Sequence, residues 1–158
     1  MTLPPSNSLF LMVRFGLFGS LKNQKIFKYT CCAFKVAGKE FNILNVTYSL
    51  FQETDATGRL STITRGGKID IIVEGTGSTE LFEWMTNSFE RKDGSVVYVK
   101  RDSNATLKEL KYTEGYLIKH KENFDSTRES VNRIFTISAR KIEIASGAYE
   151  NAWDNAPT

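Results

Sequence analysis

A two-residue alternation of apolar and polar side chains is what most constrains this chain. In Lys68–Glu74, KIDIIVE, Ile69, Ile71 and Val73 fall on one side, and Lys68, Asp70 and Glu74 on the other. A strand with one buried face produces that order, because its successive side chains point to opposite faces. Further segments of this kind follow one another along the chain. Residues 28–36 read as a strand, and Ala37-Gly38-Lys39 as a tight connection in which Gly38 takes a positive φ. Residues 40–51 form the return strand. Phe41 and Ile43 share one face there, while Leu44, Val46, Tyr48 and Leu50 share the other, so a bulge at Ile43-Leu44 or a strand buried on both sides is expected.

Residues 96–101, 106–119 and 131–144 read as the remaining strands. Lys92-Asp93-Gly94-Ser95 reads as an Asp-Gly turn, residues 120–130 as a polar loop, and Gly147 onward as a tail. Gly115 marks a bend within its strand. Phe135, Ile137 and Ala139 share the inward face of the last strand. One helix interrupts the pattern, over residues 79–88. Ser78 is its expected N-cap, and Glu80 and Glu83 lie near its positive end. Leu81, Trp84, Met85 and Phe89 form an apolar stripe that reads as core packing. Strands with turn signals and one short helix predict a mainly β fold of two packed antiparallel sheets, as a sandwich or barrel. No proline occurs between Pro5 and Pro157. Strand edges are often guarded by proline, so its absence favours closure into a barrel or edges covered by neighbouring subunits.

Composition narrows the function classes. The chain has 158 residues, the size of a single domain, and eleven Phe and six Tyr supply bulk for a core. Its formal charge of +3 is unevenly placed. Arg14, Lys22, Lys25 and Lys28 stand in the first 28 residues with no acid among them, and the remainder is close to neutral. The domain therefore lacks the clustered positive charge that holds nucleic acid. The apolar run LFLMVRFGLFG, residues 9–19, is broken by Arg14 and is far shorter than the ~20 residues of a membrane span, so no membrane insertion is expected. It lacks the layout of a cleaved signal peptide. Residues 1–27 read as an extension added by an upstream start codon and poorly ordered; residues 154–158 read as a C-terminal tail.

Chemistry-bearing patterns are weak. Cys31 and Cys32 are adjacent and point to opposite faces of a strand, which disfavours a disulfide between them and fits a reducing compartment. One of the two is expected in the core. His120 stands alone between Lys119 and Lys121 and reads as a solvated loop histidine, so zinc is poorly supported. GTGS at residues 75–78 lacks the ending of a P-loop and reads as a turn and cap. Glu80/Glu83 and Glu109/Glu114 read as a solvated charged face, and ERKD (90–93) and KRD (100–102) as soluble turns. No catalytic, metal or cofactor site is expected, and the chain reads as a non-enzyme.

The stretch that stands out is residues 52–67, QETDATGRLSTITRGG, a polar connection between two strands. Connections of about 12–15 residues or more are commonly either functional or disordered. An arm of this kind on a small β-domain suits partner contact, which gives a binding or assembly module. The residues in order, QETDATGR, RGG, LFEWM, FERKDGSV, KRDS, LKEL, KENFDS and FTISARKIE, resemble the Hcp (TssD) family of type VI secretion tube proteins over residues 28–153. That resemblance implies a small β-barrel with one helix on its side. It implies hexameric rings stacked into a tube inside a contractile sheath, topped by a VgrG-type spike and carrying effector proteins in the lumen. It also implies a cytoplasmic protein secreted through the type VI apparatus, with no cofactor. The family's ring-to-ring loop maps to Gln52, Glu53, Thr54, Asp55, Thr57, Gly58, Arg59, Arg65, Gly66 and Gly67. Charge reversal at Asp55 or Arg59 is then expected to weaken stacking, and Gly58, Gly66 and Gly67 to let the backbone bend. Tyr149 and Trp153, beyond the last strand, are expected to pack on their own barrel or on a neighbour. A non-polymerising β-barrel that binds a peptide or another ligand is the alternative.

Overall fold

The computed structural model describes residues 32–153 apart from 101, 128 and 129. The expectations for residues 1–27 and 154–158, and for Cys31, lie outside the described residues. Seven strands and one helix follow in the order β1 (Cys32–Val36), β2 (Lys39–Tyr48), β3 (Lys68–Glu74), α1 (Glu80–Thr86), β4 (Arg91–Val99), β5 (Thr106–Asp125), β6 (Ser130–Ile144) and β7 (Gly147–Glu150). All pairings are antiparallel. The sheet runs β3-β2-β1-β4-β5-β6-β7, and β3 also pairs with β6. That pairing closes six strands into a barrel and leaves β7 as a flap on β6. The two packed layers are thus opposed walls of one closed sheet.

Closure accounts for the core. Ile69, Ile71 and Val73 of β3 meet Phe135, Ile137 and Ala139 of β6, all fully buried, with Phe34, Val96 and Leu110 completing the interior. Phe34 lies where three rings converge, with centroids 5.9 Å from Phe41, 6.3 Å from Tyr112 and 5.3 Å from Phe135. Cys32 is half-buried against this core. The β1–β2 hairpin turns through Ala37 (φ 48°) and Gly38 (φ 75°). Positive φ at both central residues matches the right-handed twist of the flanking strands. The ladder between β2 and β3 shifts register between Ile43 and Asn45, the bulge expected from the change of apolar face.

Four expectations are corrected. Lys92–Ser95 is not a turn: β4 begins at Arg91 and runs through it, with a register shift between Lys92 and Gly94. Asp93 serves that irregularity by accepting the Glu114 backbone N–H at 2.8 Å. Gly94 is required because a Cβ there would lie 2.4 Å from the Tyr112 hydroxyl and 2.5 Å from the Lys35 carbonyl. Residues 120–125 are strand rather than loop, since β5 continues to Asp125 along β6. That pairing satisfies backbone groups of β6 that β3, on its other side, does not reach. The tail contains β7, paired along Lys141–Ile144. The helix ends at Thr86, and of the predicted stripe only Leu81 and Trp84 are buried; Met85, within the helix, faces outward. Phe89 lies past the helix at φ 67° and is 87% exposed.

The ends of β3 define two poles. At Lys68, beside Tyr48 and Ser138, the connection from β2 arrives; at Glu74, beside Asn132, the chain leaves toward α1. Seven residues of strand separate them by about 20 Å.

Candidate assembly surface

The 52–67 connection is a structured arm. Phe51 and Arg65 exchange both backbone hydrogen bonds at 2.9 and 2.8 Å, and a second bridge joins Thr54 to Leu60. Ser61 N–H donates to the Glu53 carbonyl at 2.8 Å, and Glu53 N–H to Thr62 Oγ1 at 2.9 Å. The tip is organised by Asp55. One carboxylate oxygen accepts from Thr57 Oγ1 at 2.6 Å, Thr57 N–H at 2.8 Å and Arg59 N–H at 3.0 Å. Gly58 turns the backbone at φ 82° in open space. The Thr57 hydroxyl first, and then the backbone N–H groups of Arg59 and Thr57, hold the Asp55 carboxyl below its ordinary value.

The pH consequence has a definite sign. Because the folded carboxyl titrates below 3.8, its contribution to the turn is complete above that pH and is lost as pH falls through the lowered folded value. Asp55→Ala should do the same at neutral pH. Protection of the Thr57 and Arg59 amides from exchange, relative to the intrinsic rate at each pH, should fall in both cases, with the barrel's unfolding midpoint unchanged in the variant. Undiminished protection would contradict this role.

Asp55 is therefore engaged within its own loop, and reversing its charge would also undo the turn. Among the described residues, Arg59 and Arg65 form no ion pair, so their charges are available to a partner. Leu60 and Ile63 of the same arm are 65% and 81% exposed.

Gly66 and Gly67 fix the base of the arm, and Gly67 bends the backbone there at φ 91°. A Cβ on Gly66 would lie 2.8 Å from the Ser49 carbonyl oxygen, and one on Gly67 2.9 Å from that of Ala139. Ala139 N–H donates to the Gly67 carbonyl at 2.8 Å. Asn151 clamps the same place, donating from Nδ2 to the Ala139 carbonyl at 2.9 Å and accepting at Oδ1 from the Tyr149 hydroxyl at 2.7 Å. Trp153 packs on Tyr116 with centroids 5.4 Å apart, so Tyr149 and Trp153 both lie against their own barrel. Tyr116 in turn accepts from Arg91 Nε at 2.7 Å, and Arg91 and Arg140 both pair with Glu114. Arg91 foremost, with Arg140 beside it, holds the Glu114 carboxyl below its ordinary range.

The opposite pole carries a second feature. A cleft of about 530 Å³ opens between the 76–79 turn and β5, lined among others by Phe82, His120, Glu122 and Arg133. Arg133 is buried. It donates to Glu122 Oε2 at 2.7 Å, the Thr76 carbonyl at 2.5 Å and Ser78 Oγ at 3.3 Å. Ser78 thus serves Arg133, and the helix N-cap position falls on Thr79, which makes no side-chain cap bond. His120 is in β5 rather than in a solvated loop. Its ring meets Phe82 edge-on with centroids 6.4 Å apart, and burial lowers its pKa. Phe82 is 60% exposed, and Phe124 and Phe89 are also exposed. Sequence reasoning did not single out this cleft. Its one legible signal was Phe82, an apolar helix residue off the buried stripe.

Among the described residues no group of three or more His, Cys, Asp or Glu is placed to hold a metal ion. No helix there is long and apolar enough to cross a membrane. A closed barrel with an ordered arm, a docked tail and large exposed apolar side chains is built for contact.

The TssD family model, described as hemolysin coregulated protein Hcp (TssD), matches residues 29–154. The chain belongs to the Hcp family. It is a type VI secretion tube protein. Among solved structures it is similar to Hcp1 from Flavobacterium johnsoniae, at 62% identity and a TM-score of 0.74, covering 77% of this chain and 99% of that one. Hcp1 from E. coli EAEC 042 shares the fold at 12% identity, with a TM-score of 0.63 and coverage of 77% and 98%. Hcp1 from Salmonella typhimurium does so at 13% identity, with a TM-score of 0.60 and coverage of 75% and 93%. No curated protein matches the chain. The Hcp match takes in every described strand, the arm and both poles, and begins after residues 1–27.

Proposed function

We propose that this Hcp chain forms hexameric rings that stack head to tail into the inner tube of a type VI apparatus, with the 52–67 arm as the ring-to-ring contact. The observation that carries this reading is the arm itself. It is hydrogen-bonded into a fixed shape, anchored at Gly66-Gly67, and presents Leu60, Ile63, Arg59 and Arg65 to solvent. Four residues of chain, from Phe51 to Asp55, lead to its turn, so the arm is about 13 Å long. A heterologous contact of this kind generates an open stack. Family membership supports the rest of the reading: a contractile sheath around the tube, a VgrG-type spike on its end and effector proteins in its lumen. The chain waits in the cytoplasm and leaves through the apparatus. Tyr149 and Trp153 hold the tail on the barrel beside the arm's base, and so stiffen the arm.

Arg59→Glu tests the arm without touching the Asp55 carboxylate. Sedimentation velocity should show rings of unchanged mass and a loss of stacked species, with an unaltered circular dichroism spectrum. Stacking equal to that of the unsubstituted protein would reject the arm as the contact.

A further inference from the structure

We infer that the cleft between the 76–79 turn and β5 is an acid-sensitive latch, in which a protonated His120 competes with Arg133 for the Glu122 carboxylate and so loosens the turn. Three observations carry it, and none involves the arm or the assembly of rings.

The first is a charge count. Glu122 is the acid among the described residues that line the cleft, and its Oε2 already accepts from the buried Arg133 at 2.7 Å. With His120 neutral, one guanidinium meets one carboxylate. With His120 charged, two cations meet it. His120 and Glu122 stand two positions apart in β5, opposite Phe135 and Arg133, so their side chains leave one face of the strand. Lys119 and Lys121 leave the other face.

The second is the seat of the ring. Nε2 of His120 is buried without a hydrogen-bond partner among the described residues, and the ring lies edge-on to Phe82. A neutral ring tolerates that place, whereas an imidazolium carries an N–H on each nitrogen and needs an acceptor for it. The elements around the ring offer few. The 76–79 turn, TGST, holds no titratable side chain. On α1 the Glu83 carboxylate already accepts from the Thr79 hydroxyl at 2.5 Å. From β6 comes Arg133, itself a cation. Glu122 is left as the acceptor.

The third is what the latch holds. Arg133 donates to the Thr76 carbonyl and to Ser78 Oγ, so it ties the turn to β6. An arginine that loses its carboxylate is costly to keep buried. Once His120 takes Glu122, the guanidinium moves toward water and releases Thr76 and Ser78. Burial foremost lowers the His120 pKa; Glu122 draws it up and Arg133 presses it down. The neutral ring thus belongs to the closed latch. Its contribution is complete above 6.5 and is lost as pH falls from there through the lowered folded value.

Two amides that bracket the turn report the latch. Gly75 N–H donates to the Val131 carbonyl at 2.6 Å, and Glu83 N–H to the Thr79 carbonyl at 2.9 Å. Hydrogen exchange of the full chain, read by mass spectrometry over overlapping peptides and corrected for the intrinsic rate, is compared above and below the ordinary histidine pKa. Protection of both amides should fall several-fold on acidification, while that of Ile71 in the core stays as it was. In His120→Gln the fall should disappear. Unchanged protection in the unsubstituted protein, or an equal fall in His120→Gln, would overturn the latch. Glu122→Gln gives a second readout that needs no acid: it removes the contested charge, so the turn should already be loose at neutral pH. Full protection there would overturn the contest for Glu122.

Discussion

Phe34→Ala is expected to destabilise the barrel by about 3–5 kcal/mol, the usual cost of truncating a fully buried phenylalanine. Phe34 has no exposed surface, and the rings of Phe41, Tyr112 and Phe135 surround it within 6.3 Å. These neighbours come from β2, β5 and β6, so the cavity would open between the walls of a closed sheet. Hydrogen bonds on both sides of most strands hold those walls apart, and little collapse can refill the space. Since single domains of this size have only about 5–15 kcal/mol in total, the loss is a large share of the whole. Urea denaturation followed by the fluorescence of Trp84 and Trp153 would measure it. Phe34→Leu should recover more than half. A cost below about 1 kcal/mol for the alanine variant would place the centre of the core elsewhere.

The second large effect is at Gly67. Gly67→Ala should cost about 2–4 kcal/mol, combining positive-φ strain with a contact that has little room to relax. The new Cβ would meet the Ala139 carbonyl oxygen at 2.9 Å, a backbone atom of β6, and would displace the Asn151 amide from the same place. Gly58→Ala is the matched control. Its φ is also positive, but its Cβ meets nothing within 4 Å, so it should cost only about 1 kcal/mol. The two variants separate backbone strain from loss of the arm's anchor. Equal destabilisation in thermal melts would show that the Gly67 contact carries nothing beyond its dihedral angle. Stacking should fall in Gly67→Ala even where the barrel remains folded, because the base of the arm is no longer held to β6 and to the tail.

The parts of this fold that were legible in the sequence are those where one face is buried. Ile69, Ile71 and Val73 declared their strand because water lies on one side of it and the core on the other. The apolar face of β2 changes at Ile43-Leu44, and a bulge follows there. Residues 120–125 gave no such signal: the strand is held by pairing with β6 while most of its side chains stay in water, so backbone hydrogen bonding decides where burial does not. Asp93-Gly94 was misread because the same dipeptide serves a hairpin turn and an irregular strand. The choice depends on Tyr112 and Lys35, distant in sequence. Phe89 fell in helical register with Leu81, but the helix ends at Thr86 and the register ends with it.

The arm was legible from its length and polarity. Its internal order was not, because it comes from one carboxylate, that of Asp55, accepting three bonds from residues two and four positions on. Gly66 and Gly67 read as places where the backbone bends; their second role, close docking that the absence of a Cβ allows, depends on Ser49 and Ala139, distant in sequence. Arg133 was invisible as a buried clamp, since its acceptors come from the 76–79 turn and from Glu122 of β5, both distant from it in sequence. That clamp shapes the cleft between the 76–79 turn and β5.

The central claim is that this barrel is a ring-forming, stacking unit. Negative-stain microscopy of the full chain over rising concentration, with mass measured by light scattering on the same samples, tests it most directly. The account predicts six-fold rings that join into stacks as concentration increases. A monomer at every concentration, with no rings on the grid, would contradict it.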